Sequence, residues 1–352
     1  MHGVAEGMSS SSSILAECAE VYALAKKFEA QSDKSVHWNV FPADFALGFE
    51  HADAWPKLLR NGITAGFNDD TMAVPDRWER RRGHDYGDLV PRHETNKEVV
   101  ERAGQLFRFC VEKWNLSSVK QLLNTETGSP RLAEFEVKVK YDTEIRKETV
   151  AASVHDLSLV YACGRIVQAV RGSETILGRF RANPTFVEIG GGFGELSAKV
   201  KLTSPKTRCV IFDLPEPGAV QLYYLQNRCP GRTVYTIKDF HRLGLKVFDE
   251  PFDFLLLPPA FIKLMPTGWP AIYINMRSFQ EMQWLSVADY FVEIQRSMLP
   301  GGLFCCINRV SKQIGDQHIN YDRFPFDNRW KPLSVAPVPF QRHIREGIFE
   351  RM

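Results

Sequence analysis

The segment Val187-Glu188-Ile189-Gly190-Gly191-Gly192-Phe193-Gly194-Glu195-Leu196 limits what this chain can fold into more than any other. Apolar residues suited to a buried strand run into three consecutive glycines and then into a helix-forming stretch. Glycine lets the backbone turn sharply and come within contact distance of a ligand. The helix that follows offers unpaired N–H groups and the positive end of its dipole to an anionic group.

From Pro184 onward the pattern repeats this alternation. Strands are expected at Thr185–Ile189, Thr207–Phe212, Phe252–Leu257, Ala271–Asn275 and Leu303–Arg309, with a shorter one at Val234–Ile237. Helices are expected at Glu195–Lys201, Gly218–Arg228 and Phe279–Leu299. Such an order predicts an α/β fold, a mostly parallel sheet covered on both faces. The chain then closes on a Pro-punctuated segment, Pro332–Pro339, and a short tail.

The first half has a different texture. Met1–Ser13, with a serine run from Ser9, reads as a disordered tail. Leu15, Cys18, Ala19, Tyr22 and Ala25 recur at helical spacing, and Glu98–Trp114 and Ser153–Val170 carry similar stripes. Ser35–Arg92 holds Trp38, Trp55 and Trp78 without a sustained period and reads as loops and short helices. Leu132–Tyr141 alternates apolar and charged residues like a strand or extended arm. The division expected is a tail over 1–13, a mainly helical region over 14–175 and the sheet domain over 176–352.

Charge and cysteine usage exclude several classes of function. Among 352 residues, 44 Lys and Arg face 42 Asp and Glu, a net of +2, so no overall field gathers nucleic acid or an anionic membrane. The longest apolar run, Phe252–Ile262, is broken by Asp253, Pro258 and Pro259, far short of the ~20 residues of a membrane span. The N-terminus has no basic leader before its apolar residues, and the seven cysteines lack paired spacing. Reduced thiols and a cytoplasmic location are therefore expected, and no zinc spacing is present.

Three nucleotide-binding patterns compete for the glycine turn. A phosphate-gripping loop needs Gly-Lys-Ser/Thr, where Phe193-Gly194-Glu195 stands. A dinucleotide fingerprint needs glycine at 195 or 197, where Glu and Ser stand, which weakens an NAD(P)-dependent oxidoreductase without removing it. The third pattern, Glu-x-Gly-x-Gly-x-Gly with Glu188 leading, resembles the first motif of class I S-adenosylmethionine-dependent methyltransferases. Asp213, at the end of the next strand, is placed to accept ribose hydroxyls in charge-assisted hydrogen bonds. Taken alone, it would pass for a solvated turn acid.

Three phrases together resemble a family of sugar O-methyltransferases. They are Glu188–Leu196, Asp213-Leu214-Pro215-Glu216 followed by Tyr223-Tyr224-Leu225, and Asn275-x-x-Ser278-Phe279-Gln280-Glu281-Met282. The resemblance covers about residues 150–352. It implies a Rossmann-like class I methyltransferase sheet ending in an antiparallel strand, S-adenosylmethionine as cofactor and a sugar or glycoside hydroxyl as acceptor. By the same resemblance Glu188, Gly190, Gly192, Gly194 and Asp213 fall on cofactor-binding positions, joined by Gly191, Phe193, Leu214, Asp239 and Asn275. The N-terminal region is then expected to select the acceptor or to form a homodimer contact. A non-catalytic scaffold that retains the domain is the remaining alternative.

Methyl transfer to an alcohol is an in-line displacement that asks the protein for alignment and a base. Active sites of open α/β sheets lie beyond the carboxyl ends of the strands. Glu281 and His318 are the base candidates there, with His241 third. The Ser278-x-x-Glu281 spacing also fits a helix capping box. Trp269, Trp284 and Trp330 are candidate sugar platforms, and Arg277 and Arg309 candidate anion contacts.

Overall fold

A computed structural model describes residues 5–29, 97–123, 133–141, 144–152, 154–314 and 316–352. The loops expected over Ser35–Arg92 lie outside them. The chain divides into two units, one of Met1–Phe45 with Ile166–Met352 and the other of Ala46–Arg165.

In the second unit, α2 (Lys97–Trp114) ends at Asn115, whose side chain accepts from Ser118 N at 2.9 Å and starts α3 (Leu116–Leu122). The expected extended arm is β1 (Ala133–Tyr141), and it pairs antiparallel with β2 (Glu144–Ala152). The helix α4 (Val154–Arg171) runs out of this unit, close to its expected bounds.

The first unit holds the sheet. After α5 (Glu174–Ala182) come β3 (Thr185–Ile189), α6 (Glu195–Thr203), β4 (Arg208–Phe212) and α7 (Pro215–Arg228). Then follow β5 (Val234–Tyr235), α8 (Ile237–Leu243), β6 (Phe254–Leu257), β7 (Ile272–Met276), α9 (Trp284–Ser297) and β8 (Leu303–Arg309). A small hairpin, β9 (Ser311–Ile314) with β10 (Gln317–Asn320), precedes β11 (Trp330–Val338) and β12 (Gln341–Arg351). The order across the sheet is β11-β12-β8-β7-β3-β4-β6-β5. All pairs from β5 to β8 are parallel, and β12 lies antiparallel between β8 and β11. This is the expected doubly wound fold with its antiparallel last strand. β3 and β6 are buried along their whole length, which is why their sequences are near-continuous apolar runs.

The chain leaves β3 toward β4 on one side and later returns to lay β7 on the other. The crevice at the carboxyl end of β3 is therefore a topological switch point, the place where open α/β sheets bind ligands.

Four expectations change. Helix α1 (Ala5–Ala25) starts inside the segment read as a tail, in keeping with the good helix formers around its serines. It belongs with the sheet unit, burying Leu15, Cys18 and Val21, and Gln226 of α7 donates to its Glu17. The expected helix over Phe279–Leu299 is a 3₁₀ turn, Phe279–Glu281, followed by α9. The Pro-rich segment is a true strand: β11 is the sheet edge, where a missing N–H is tolerated, and its register shifts at Pro332 and Pro337.

All seven cysteines are free and buried. Among the described residues, no helix is long and apolar enough to cross a membrane, and no His, Cys, Asp and Glu cluster could hold a metal.

Candidate functional site

The glycine turn closes the switch point. Gly190 N donates to Phe212 O of the neighbouring strand at 2.8 Å, and Gly194 N donates to Gly191 O at 2.9 Å. Gly190 and Gly194 sit at φ +70° and +92°, where a side chain is strained. A Cβ on Gly190 would also collide with the Ser278 side chain, so this position is closed to any larger residue on two independent grounds. Phe193 turns inward and packs edge-on against Tyr224, ring centroids 5.0 Å apart, which pins the turn to α7.

Two carboxylates flank the turn. Glu188 is buried on β3 and accepts from Ser197 Oγ at 2.5 Å; burial pushes its carboxyl up to about 8. Asp213 sits at the end of β4. Its Oδ2 accepts from Gly192 N and from Gln221 Nε2, each at 2.9 Å, and its Oδ1 accepts from Leu214 N at 2.8 Å. Burial pushes Asp213 up to about 7 against these three donors. Leu214 thus reaches the site through its backbone.

Asn275 and Asp239, the other two polar positions expected at the cofactor, both have protein partners. Asn275, fully buried at the end of β7, donates to Ile189 O at 3.0 Å and to Ser278 Oγ. Its Oδ1 accepts from Phe279 N at 3.1 Å and from Asn308 Nδ2 at 2.9 Å. All four of its bonding positions are taken by protein. Asp239 closes a capping box on α8, accepting from Thr236 N at 3.0 Å, and pairs with Arg242 at 2.9 Å. It lies after β5, whose only neighbour in the sheet is β6.

The capping box expected at Ser278 and Glu281 does not form. Ser278 Oγ donates instead to Ile189 O at 2.9 Å, while Glu281 pairs with Lys312 of β9 at 2.9 Å. Glu281 N donates to Ser278 O at 2.9 Å, and Asn275 and Asn308 hold the N–H groups of Phe279 and Gln280. Met282 lies over Gly190, its Cε 3.8 Å from where a Cβ would be, so this 3₁₀ turn borders the glycine turn.

His318 is exposed on β10, its Nε2 2.5 Å from Ser311 Oγ. Lys312, the partner of Glu281, pairs across the hairpin with Ile319, next to His318. The two base candidates therefore share one loop cluster. His241 packs against Phe28, ring centroids 5.7 Å apart. Of the tryptophans, Trp284 stands beside the hairpin, its N donating to Gln317 Oε1 at 3.1 Å. Trp269 lies under the Arg208 guanidinium and Trp330 against Phe304, both as packing residues. Arg277, at φ +64°, reaches Gln341, and Arg309 is exposed at the end of β8.

Sequence reading missed Ser197, Gln221, Gln280, Asn308 and Lys312, which hold the acids and loops in place. Gln221 carried a signal, an amide within the buried run Ala219–Leu222; the others act through pairings between distant elements.

No protein-family model matches the chain, and no curated protein matches it in sequence. Solved structures similar to it include the pyocyanin biosynthetic protein PhzM, at 15% identity over 48% of this chain and 50% of that one, with a TM-score of 0.34. The match thus spans half of PhzM. A SAM-dependent methyltransferase from Aquifex aeolicus aligns at 15% identity over 48% and 82%, TM-score 0.30. The N-methyltransferase NodS from Bradyrhizobium japonicum, in complex with S-adenosyl-L-homocysteine, aligns at 9% over 47% and 77%, TM-score 0.32.

Proposed function

We propose that this chain is an S-adenosylmethionine-dependent O-methyltransferase that methylates a hydroxyl of a sugar or glycoside. The observation that carries the reading is the conjunction at the β3 switch point of a left-handed glycine turn with Asp213, whose carboxylate holds the turn's Gly192 N–H. A carboxylate at a strand end beside such a turn suits a ribose hydroxyl. Gly190, closed to any side chain, lets Ser278 and Met282 pack down onto the turn and hold its shape.

The cofactor, when bound, supplies a methyl group activated on a sulfonium. The chain's residues supply position and a proton acceptor. Asp213 orients the ribose, with Leu214 N and Gly192 N fixing the rotamer of its carboxylate. Glu188 and Ser197 brace the strand end beneath the turn. The 3₁₀ turn Phe279–Glu281 brings Glu281 to the opposite lip, where it or His318 takes the proton of the acceptor hydroxyl. Trp284, beside the same hairpin and stacked on Phe324, is the aromatic residue assigned to a sugar ring. The N-terminal region over 14–175 is assigned to acceptor selection or to pairing with a second copy.

Incubating the full chain with methyl-labelled cofactor and a panel of nucleotide sugars and glycosides tests this. The expected product is a sugar heavier by one methylene, with label on oxygen. Label on amines alone would contradict the acceptor class, and nicotinamide turnover would move the protein to the oxidoreductases. Cofactor binding without transfer to any acceptor would support the scaffold reading.

A further inference from the structure

One fully buried amide behind this site has a placement that packing does not explain. Gln221 lies in α7 within the run Ala219–Leu222, which is buried throughout. Its Nε2 donates to Gly192 O at 3.0 Å and to Asp213 Oδ2 at 2.9 Å. Its own Oε1 is buried and accepts no hydrogen bond from the described residues. An unsatisfied buried acceptor is a standing cost, and methionine would fill nearly the same volume without it. The amide packs close to the turn: a Cβ on Gly191 would lie 3.4 Å from Gln221 Nε2, in ordinary contact.

We infer that Gln221 is a positioning residue for the cofactor, bridging the Gly192 carbonyl and the Asp213 carboxylate so as to fix the glycine turn against the ribose-binding acid. This rests on the reading of the site given above. An ionised carboxylate has about four lone-pair positions. Gly192 N, Leu214 N and Gln221 Nε2 occupy three, so the remaining one is aimed and the carboxyl cannot rotate to meet a ligand halfway. Without the amide, Asp213 keeps only the backbone donors Gly192 N and Leu214 N, and the turn loses its hydrogen bond to α7.

The donor also acts on charge. Asp213 has Glu216 of α7 and Glu188 of β3 nearby, both acidic, and Glu216 is matched by Lys26 Nζ at 3.2 Å. Against burial and these acids, the Gln221 N–H favours the ionised form of Asp213. Removing it moves the ionisation of Asp213 to higher pH. A residue that merely filled space would leave that pH unchanged when replaced by one of equal volume.

The test is calorimetric titration of the full chain with S-adenosylhomocysteine from pH 5 to 9, for the natural protein and for Gln221→Met. The expected result is a variant that melts cooperatively, binds about 10- to 50-fold more weakly and has its binding midpoint displaced to higher pH. Equal affinity and an equal midpoint, or weaker binding with an unmoved midpoint, overturns the inference while the proposed function stands. Absence of binding by the natural protein overturns both. Gln221→Glu, nearly isosteric, serves if the methionine variant does not fold. A second carboxylate facing Asp213 opposes its ionisation, so the affinity of this variant should rise at higher pH than that of the natural protein, and an equal midpoint overturns the inference.

Discussion

The two sides of β3 are built from different materials. Toward β4, the glycine turn, Glu188, Asp213 and Gln221 form a closed set in which the carboxylates are held by donors a few residues or one helix away. Toward β7, a chain of polar side chains from Asn275 through Ser278, Asn308 and Gln280 leads outward to the hairpin, where Glu281 meets Lys312 and Ser311 meets the exposed His318. One side is fixed in advance for a ligand of constant shape; the other anchors rigidly at its root and is free to vary at its tip. Binding sites commonly combine such a rigid support with a variable loop.

That contrast can be broken, starting with the root of the turn. Gly190→Ala meets both the left-handed backbone and the Ser278 side chain, so a loss of about 2–5 kcal/mol is expected in urea unfolding. A loss under about 1 kcal/mol would show that the turn adapts. On the other side, Asn275→Leu strands Phe279 N, removes a partner of Asn308 and leaves Ile189 O to Ser278, and should cost about 2–3 kcal/mol. Equal cofactor affinity in that variant would confirm that Asn275 acts on the acceptor loop.

Glu188→Gln tests the closed set through pH. Its folded carboxyl, near 8, holds a proton that the unfolded chain releases near its ordinary 4.5, so its contribution is full below about pH 4.5 and is lost as pH rises through 8. Within that window, each pH step of one costs about 1.4 kcal/mol of stability. Asp213, raised to about 7, works in the same direction. The glutamine variant should therefore lose less melting temperature between pH 5 and pH 9 than the natural protein; parallel curves would show that Glu188 is already ionised. Ser278→Ala, which removes one bond to Ile189 O, should cost only about 1 kcal/mol in the same urea assay. Glu281→Gln and His318→Asn should change stability by less than about 0.5 kcal/mol. One of them should lower turnover by about 10²–10⁴-fold, and neither doing so would place the base elsewhere.

The sequence was most legible where a residue's partner is its own neighbour in chain or strand. β3 and β8 lie at their expected bounds because apolar runs closed by glycine or by turns leave little choice. The β11–β12 pair was hidden because its prolines read as breakers, a rule that an edge strand evades. β2 was hidden because Glu144-Ile145-Arg146-Lys147-Glu148 carries hardly any apolar alternation. At the site, the glycines and Asp213 announce themselves by spacing. The amides do not, since Asn275 meets Asn308, and Gln221 meets Gly192, only once the sheet is assembled. The Ser278-x-x-Glu281 spacing misled for the same reason: in the assembled sheet Ser278 Oγ is turned to Ile189 O of β3 and Glu281 to Lys312 of β9.

The central claim is that the β3 crevice binds S-adenosylmethionine through Asp213. Calorimetric titration of the natural protein and of Asp213→Ala with that cofactor addresses it most directly. Micromolar binding by the former, weakened at least ~100-fold in a variant that still melts cooperatively, is the predicted result. Equal binding by both, or no heat from either, would contradict it.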